Sequence, residues 1–404
     1  MSEPELDAAT ALARLSQSIV PISELEQCPT GAALRRVLGA DVMATLDLPP
    51  FDNAAMDGYA VRSIDCTGPS TLRVAGRALA GHPFAGQVQP GEAVRIMTGA
   101  ALPAGADAVV AQEDVQAHGD QVDILSSVPA ATHVRPRGQH LQDGALVLAR
   151  RRRLRDYDLG LAAAAGSAEL TVVRRLRVGV LSTGDELHDA PHGRGPGGQY
   201  DGNRPMLLAA LESAGNQAID LGIVADHADA LAEALDGAAR RHLDAVVSSG
   251  GVAQGDADIV RRFPGLEFVP LAIRPGRGVA FGRLTSGGRS LWMFGLPGNS
   301  IAAYVMYQVV VAPLLALLGG TALETPLSLQ LPLAIDVHTR AGRVDWRRGR
   351  FVHLYGGLAV EPMVQQASFM LRTLSEADVL IAIGPQAETH AGDPVHVIPL
   401  AALA

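Results

Sequence analysis

Between Leu176 and Leu318, short apolar runs alternate with stretches of helical spacing, and three of the runs stop abruptly at glycine, acidic or capping residues: RVGVLSTGDEL, DAVVSSGGVAQGDAD and LWMFGLPGNSIAAYV. A short apolar run closed by turn residues predicts a buried strand, so each unit is expected to be a strand, a loop and a helix. Asn203 to Ala214 and Ala228 to Arg241 carry the apolar spacing of amphipathic helices, and Ala218 to Val224 between them reads as a strand. This alternation implies a central three-layer α/β domain over residues 175–320. Ligands of such sheets bind beyond the carboxyl ends of the strands, so the three loops are expected to converge on one pocket.

Elsewhere the period changes. Leu6 to Leu38 has helical spacing interrupted by Pro21 and by Pro29-Thr30-Gly31, which predicts a helix, a break and a second helix. Tyr157 to Ala168 predicts another helix, so 1–45 with 149–174 is expected to form a discontinuous N-terminal helical domain. Within 46–148, short runs at Thr71 to Val74, Ala93 to Met97, Ala108 to Val110 and Gln121 to Leu125 are punctuated by turn residues and predict a β-rich domain. Runs at Leu327 to Ala334, Arg350 to Tyr355, Val379 to Ile383 and Pro394 to Ile398 predict a small C-terminal β domain over 321–404. The glycines of His188 to Gly198 suit a surface loop, because the segment neither follows a strand directly nor opens a helix as a nucleotide fingerprint would.

Composition narrows the class. A chain of 404 residues exceeds one ordinary core, since single domains hold roughly 100 to 200 residues. With 48% hydrophobic and 19% charged residues and a mean hydropathy of +0.17, the chain is expected to fold into well-buried cores. A formal charge of -9 argues against a general nucleic-acid or anionic-membrane binder. Cys28 and Cys66 stand far apart without metal-ligand spacing, which fits a cytoplasmic protein, and Glu3, Glu5 and Asp7 precede any apolar run, unlike a signal peptide. Ile301 to Leu318 is nearly all apolar but contains Gln308 and Pro313 and follows a GLPGN loop, so a buried helix is expected and not a membrane span.

The loops carry the candidate chemistry. Asp185 and Glu186 in STGDEL suit Mg²⁺ or another hard divalent cation, which takes one or two carboxylates and completes its shell with water and phosphate oxygens. In SSGGVAQGDAD, Gly250 and Gly251 allow close approach of an anion to backbone N–H groups, and Asp256 and Asp258 add a second acidic cluster. In GLPGNS, Pro297 and Gly298 fix a bend, and Asn299 or Ser300 caps the next helix, whose N-terminus favours anions. Arg274 and Arg277 flank a Pro-Gly bend, where two guanidinium groups suit a phosphate or another oxyanion. Asp52, Asn53 and Asp57 lie in a turn-rich segment, and Thr98 offers a hydroxyl beside Gly99. The residues themselves lead to a pocket for a phosphorylated ligand and a divalent metal, with acidic groups for hydrolysis or group transfer.

The ordered motifs PPFDNAAMDGYAVR, RIMTGA, STGDEL, SSGGVAQGDAD, LAIRPGRGVAFG and GLPGN make the chain resemble the molybdopterin molybdenumtransferase family, which includes the bacterial MoeA proteins and the E domain of gephyrin. The resemblance runs over essentially the full length. It implies four domains, among them a molybdopterin-binding, MogA-like α/β domain, and a homodimer whose cleft lies between the α/β domain of one subunit and the β-rich domain of the other. It further implies that molybdate and adenylylated molybdopterin, the latter supplied by a molybdopterin adenylyltransferase, are converted to molybdenum cofactor and AMP with a divalent metal. In this sequence Asp57, Thr98, Glu186, Asp226 and Asp258 take the catalytic places, and Asp57, Glu186, Asp258 and His140 become metal candidates. Gly250, Gly251, Arg274, Arg277, Pro297, Gly298, Asn299 and Ser300 take substrate-binding places, joined by Arg348 of WRRG and Ser368 near molybdate.

The departures fall within the site. Arg274-Pro275-Gly276-Arg277 stands where the family usually has KPGK, so compact ammonium groups become planar forks. Gln139 and His140 replace a typical acidic pair, and an imidazole suits softer metals. Ala253 replaces a serine of SGGVS, and Ser300 and Ala302 replace the proline and serine of GLPGNPVS. A second reading is therefore a divergent paralogue that binds a pterin nucleotide or a protein partner without inserting molybdate. The shared α/β domain also occurs in molybdopterin adenylyltransferases and CinA-type nucleotide hydrolases, but FDNAAMDGYA and the flanking β modules speak against these.

Overall fold

The computed structural model describes residues 4–191, 193, 195–252, 258–286, 288–323, 328–354 and 356–400. Ala253 and Asp256, singled out above, lie outside the described residues. The described chain forms two compact units, one from Met1–Glu26, Arg35–Val37 and Val173–Ala404, the other from Gln27–Leu34 and Leu38–Val172.

The first unit is built on a six-stranded sheet in the order Gln217–Val224, Arg177–Thr183, Ala245–Ser249, Arg289–Leu296, Gly278–Ser286, Glu267–Pro270. The first four strands run parallel, Gly278–Ser286 runs against them, and Glu267–Pro270 is in turn antiparallel to Gly278–Ser286. Successive residues of a strand point to opposite faces, so each central strand feeds two cores. Val178, Val180, Val247 and Phe294 pack with Leu207 and Leu211 of the helix Asn203–Ser213, whereas Leu181, Val246 and Met293 pack with Leu231 and Leu235 of the helix Ala228–Arg240. This is the expected three-layer arrangement.

Among the described residues, one of the three repeated patterns is a simple strand, loop and helix. After Thr183 the chain turns through Gly184, and Leu187–His188 pairs with Gln199–Tyr200 before the helix Asn203–Ser213 begins. After Ser249 no helix follows among the described residues; turns lead from Asp258 to the strand Glu267–Pro270. The third pattern holds, because Asn299 caps Ser300–Met306 by accepting from the Ala302 amide at 3.3 Å. That helix passes through a π turn at Tyr307–Val311 into Ala312–Leu318, ahead of Pro313, which cannot donate to the ladder. Ser300–Leu318 is long and apolar enough to cross a membrane, yet Ile301, Val305, Met306, Val310 and Leu314 are fully buried in the same core as the sheet.

Asp7 caps the helix Ala8–Ser16 through its side chain, and Ala11, Leu12 and Leu15 of this helix enter the α/β core. The second helix expected before Leu38 is absent. Instead Leu25–Pro29 is a strand, Thr30–Ala32 one 3-10 turn and Val37–Leu38 a short strand. Pro29 and Gly31 interrupt helical hydrogen bonding, and Cys28, Ala33 and Leu38 fill a small core with Leu154 and Leu170. A C-terminal sheet completes the first unit, ordered Ile273–Arg274, Val344–Leu354, Val379–Ile383, Pro394–Pro399, Leu329–Pro332. Parallel pairing of Ile273 with Val344 and of Arg274 with Asp345 ties the RPGR turn to this sheet.

The second unit carries a six-stranded sheet in the order Ala108–Ala111, Gly58–Val61, Glu92–Ile96, Ser70–Ala78, Gln121–Ile124, Val115–His118. Its alternating residues also fill two cores, Tyr59, Val61, Val110 and Val122 in one and Ala60, Val94, Ile96 and Val109 in the other. The expected helix near Tyr157 spans Asp156–Ala164.

Candidate functional site

The first sheet ends in a polar pocket. Thr183, Glu186, Gln199, Tyr200, Asp201, Asn203, Ser249, Gly298 and Ser300 line a cavity of about 100 Å³, so elements of the STGDEL, SSGG and GLPGN loops do meet. Gly250 and Gly251 have φ of +103° and +71°, and a Cβ on Gly250 would lie 2.6 Å from the Thr183 carbonyl oxygen, which only glycine tolerates. Asn203 ties two loops together by donating from Nδ2 to Ser249 Oγ and to the Gly298 carbonyl, both at 2.7 Å. Its Oδ1 and the Thr183 hydroxyl are buried and lack hydrogen-bond partners among the described residues. Such atoms cost about 1–3 kcal/mol each unless paired, so the wall of this pocket carries unspent hydrogen-bonding capacity.

Asn203, Thr183 and Ser249 were not singled out by sequence. The available signal was YDGNRP: Asp201 accepts from the amides of Asn203 and Arg204 at 3.0 and 3.1 Å, a helix-capping arrangement that fixes Asn203 at the start of its helix.

Carboxylates collect beside this pocket. Asp185 accepts from the Asp226 amide at 3.1 Å. Burial, followed by repulsion from Asp185, Glu186 and Asp258, pushes the Asp226 carboxyl above the ordinary aspartate value. Asp185, Glu186, Asp226 and Asp258 are thus electrostatic neighbours, although no group of three or more His, Cys, Asp or Glu among the described residues is placed to hold a metal. Mg²⁺ that keeps water and binds phosphate oxygens needs only one or two protein carboxylates, so the acidic donor set fits such an ion when it arrives with substrate. His227 is a helix cap whose Nδ1 accepts from the Ala230 amide at 3.3 Å.

The raised Asp226 value has a testable sign. The folded state holds this proton to higher pH than the unfolded chain, so the associated stability is complete below the unfolded value and is lost as pH rises through the folded value. Asp226→Asn fixes a neutral side chain. In metal-free buffer it is expected to raise the thermal unfolding midpoint at about pH 7–8, with the gain shrinking as pH falls toward about 4. A gain independent of pH contradicts the assignment.

A second, basic cavity of about 400 Å³ lies in the same unit, lined by Arg274, Pro275, Gly276, Arg277, Arg343, Asp345, Trp346, Arg348, Gln366 and Ser368. The parallel pairing of the RPGR turn with Val344–Leu354 brings Arg274 and Arg277 to Arg348, and the Met363–Met370 turn supplies Gln366 and Ser368. Arg348 is only 1% exposed; its Nε donates to Thr373 Oγ1 at 3.0 Å and a terminal nitrogen to the Ala367 carbonyl at 3.1 Å. Burial lowers its pKa from the ordinary arginine value, which still leaves a guanidinium charged. Asn299 joins this cavity to the GLPGN loop by donating from Nδ2 to Ser368 Oγ at 3.0 Å. Arg343, three residues before the WRRG motif, and Trp346, its first residue, also line the cavity and were not singled out by sequence.

In the second unit Asp57 and Thr98 meet. The Thr98 amide and hydroxyl donate to Asp57 Oδ1 at 2.8 and 2.7 Å, and these bonds, amide first, hold the Asp57 carboxyl below its usual range. His140 is exposed, with its amide donating to the Leu48 carbonyl at 2.9 Å, and it joins no metal-ligand group among the described residues.

A mostly parallel sheet with convergent glycine loops, an acidic group and a neighbouring arginine cavity is an architecture suited to phosphorylated ligands and oxyanions. Residues 6–166 match the MoeA N-terminal region (domain I and II), 179–317 a probable molybdopterin binding domain, and 330–400 the MoeA C-terminal region (domain IV). The chain is 35% identical over 375 residues to the molybdopterin molybdenumtransferase of Haemophilus influenzae, covering 91% of this chain and 92% of that one. It is also 35% identical over 372 residues to molybdopterin molybdenumtransferase 2 of Mycobacterium tuberculosis, covering 88% and 90%. The crystal structure of the molybdopterin biosynthesis moeA protein from Pyrococcus horikoshii OT3 matches with a TM-score of 0.83 at 26% identity, over 98% of this chain and 99% of that one. The chain belongs to the molybdopterin molybdenumtransferase family.

Proposed function

We propose that this protein inserts molybdenum from molybdate into adenylylated molybdopterin and releases AMP, as a step of molybdenum cofactor biosynthesis. The observation that carries the reading is the basic cavity, in which Arg274, Arg277, Arg348 and Ser368, separated by up to 94 residues in sequence, line one space beside the loops of the molybdopterin-binding domain. Guanidinium forks present paired N–H donors that match tetrahedral oxyanions, so replacing the usual lysines by Arg274 and Arg277 keeps the charge and adds donors. Asn203, Thr183 and Ser249 would hold the pterin-nucleotide side through their hydroxyl and amide groups, with Gly250 and Gly251 admitting close backbone approach.

Glu186 and Asp258, with Asp226 beside them, are the residues that would hold a divalent cation, whose chemistry is to neutralise charge developing on the pyrophosphate oxygens. Asp57, kept ionised by Thr98, is assigned to the same reaction. The working form is a homodimer in the cytoplasm, supplied by a molybdopterin adenylyltransferase.

The test mixes purified protein with adenylylated molybdopterin, molybdate and Mg²⁺, and follows AMP release together with activation of a cofactor-free molybdenum enzyme. Release with activation is expected. Tight binding of the nucleotide with neither product would replace this reading by that of a binding paralogue.

A further inference from the structure

One carboxylate is paired with the wall of the arginine cavity. Arg343 lines the cavity, and its Nε donates to Glu5 Oε2 at 2.6 Å while a terminal nitrogen pairs with Oε1 of the same carboxylate. Among the described residues Arg343 is the only lining arginine in an ion pair; Arg348 bonds Thr373 and Ala367, and Arg274 donates to the Arg340 carbonyl at 2.9 Å. Glu5 is not held there by Arg343 alone. The Leu6 amide donates to the Pro270 carbonyl at 2.9 Å, the Ala272 amide to the Leu6 carbonyl at 2.8 Å, and the Val344 amide to the Ala272 carbonyl at 2.9 Å. A continuous backbone ladder therefore joins the N-terminal segment to the RPGR turn and to the strand that follows Arg343. The field of the cavity reaches Glu5 as well: the Arg343 hydrogen bond, and then the charges of Arg343, Arg277 and Arg274, keep its carboxyl below the usual range.

We propose that Glu5 is an intramolecular counter-ion of the arginine cavity, competing with a tetrahedral oxyanion dianion for Arg343 and so setting the affinity of the site for that anion. The inference rests on the oxyanion reading of the cavity given above. A bound dianion and the Glu5 carboxylate repel each other and share one guanidinium, so each weakens the hold of the other. Such coupling is reciprocal: removing Glu5 tightens the oxyanion, and adding the oxyanion loosens the N-terminal segment.

Equilibrium dialysis of molybdate against the wild-type protein and the Glu5→Gln, Arg343→Gln, double and Arg348→Gln variants tests this. Glu5→Gln is expected to bind about three- to tenfold more tightly at low salt, with the difference shrinking as salt rises and vanishing in the Arg343→Gln background. A merely structural role for Glu5 predicts weaker binding. Equal or weaker binding by folded Glu5→Gln, while Arg348→Gln still abolishes binding, overturns this inference alone. Binding that is absent, or indifferent to Arg348→Gln, overturns the oxyanion reading and this inference with it. Hydrogen exchange of the Leu6 and Ala272 amides supplies a readout without turnover: molybdate is expected to speed it, and unchanged or slower exchange counts against competition.

Discussion

Arg348→Lys is expected to weaken molybdate binding about 10- to 100-fold while leaving the secondary structure unchanged. The side chain is almost wholly buried, with its Nε spent on Thr373 and a terminal nitrogen on Ala367. Only a planar group with several fixed N–H donors can make both bonds and still face the cavity. Lysine keeps a charge but has one ammonium on a flexible stem. It must either satisfy Thr373 and Ala367 or point toward the anion, and burial would further favour its neutral form. Loss of one charged hydrogen bond, at about 1.5–3 kcal/mol, corresponds to the stated range. Dialysis at constant ionic strength, alongside circular dichroism, measures it. Binding within about twofold of wild type would remove Arg348 from the oxyanion site.

The short apolar runs closed by turn residues and the helical spacing near residues 203–240 were legible because they are local consequences of burial. Asn299 was legible as a cap for the same reason, since the capped amide lies three residues away. The second helix before Leu38 was misread because Ala33 and Val37, like Leu34 and Leu38, stand four residues apart as on a helix, but Pro29 and Gly31 precede them and the chain forms a 3-10 turn and a short strand there instead. The helix expected after the GG loop is not found among the described residues, where turns lead from Asp258 to the strand Glu267–Pro270. Arg343, Trp346 and Asn203 carry no local signal of their roles. Arg343 approaches Arg274 only because residues near 273 pair in parallel with residues near 344, a contact that apolar periodicity does not encode.

That separation makes the two cavities functionally divisible. The arginine cavity is set by the C-terminal sheet, whereas the acidic loops are set by the central sheet of the α/β core, and Asn299 is the side chain seen to touch both neighbourhoods, through its cap and through Ser368. The clustered arginines and the clustered carboxylates thereby stand on different supports, with Asp345 the carboxylate that lines the arginine cavity among the described residues. An oxyanion can be held by arginine without the carboxylates being neutralised, and a cation can be held by carboxylates without displacing the oxyanion. Substitutions in one set should therefore leave ligand binding at the other nearly intact.

Glu186→Gln is expected to lower AMP release at least about 100-fold while molybdate binding stays within about twofold of wild type. Glutamine preserves the size of the side chain and its contact with Gln199, whose Nε2 lies 3.3 Å from Glu186 Oε1, but removes the charge that suits a divalent cation. Asp57→Asn should do the same from the second unit, because an asparagine oxygen can still accept from the Thr98 amide and hydroxyl, leaving loss of charge as the main change. Both variants are expected to sediment as the wild-type protein does. Raising Mg²⁺ should partly rescue Glu186→Gln if Asp258 and Asp226 still attract the ion, and rescue then appears as a higher Mg²⁺ requirement and not as a changed molybdate affinity. AMP release near the wild-type rate in both variants would place pyrophosphate cleavage outside the acidic loops.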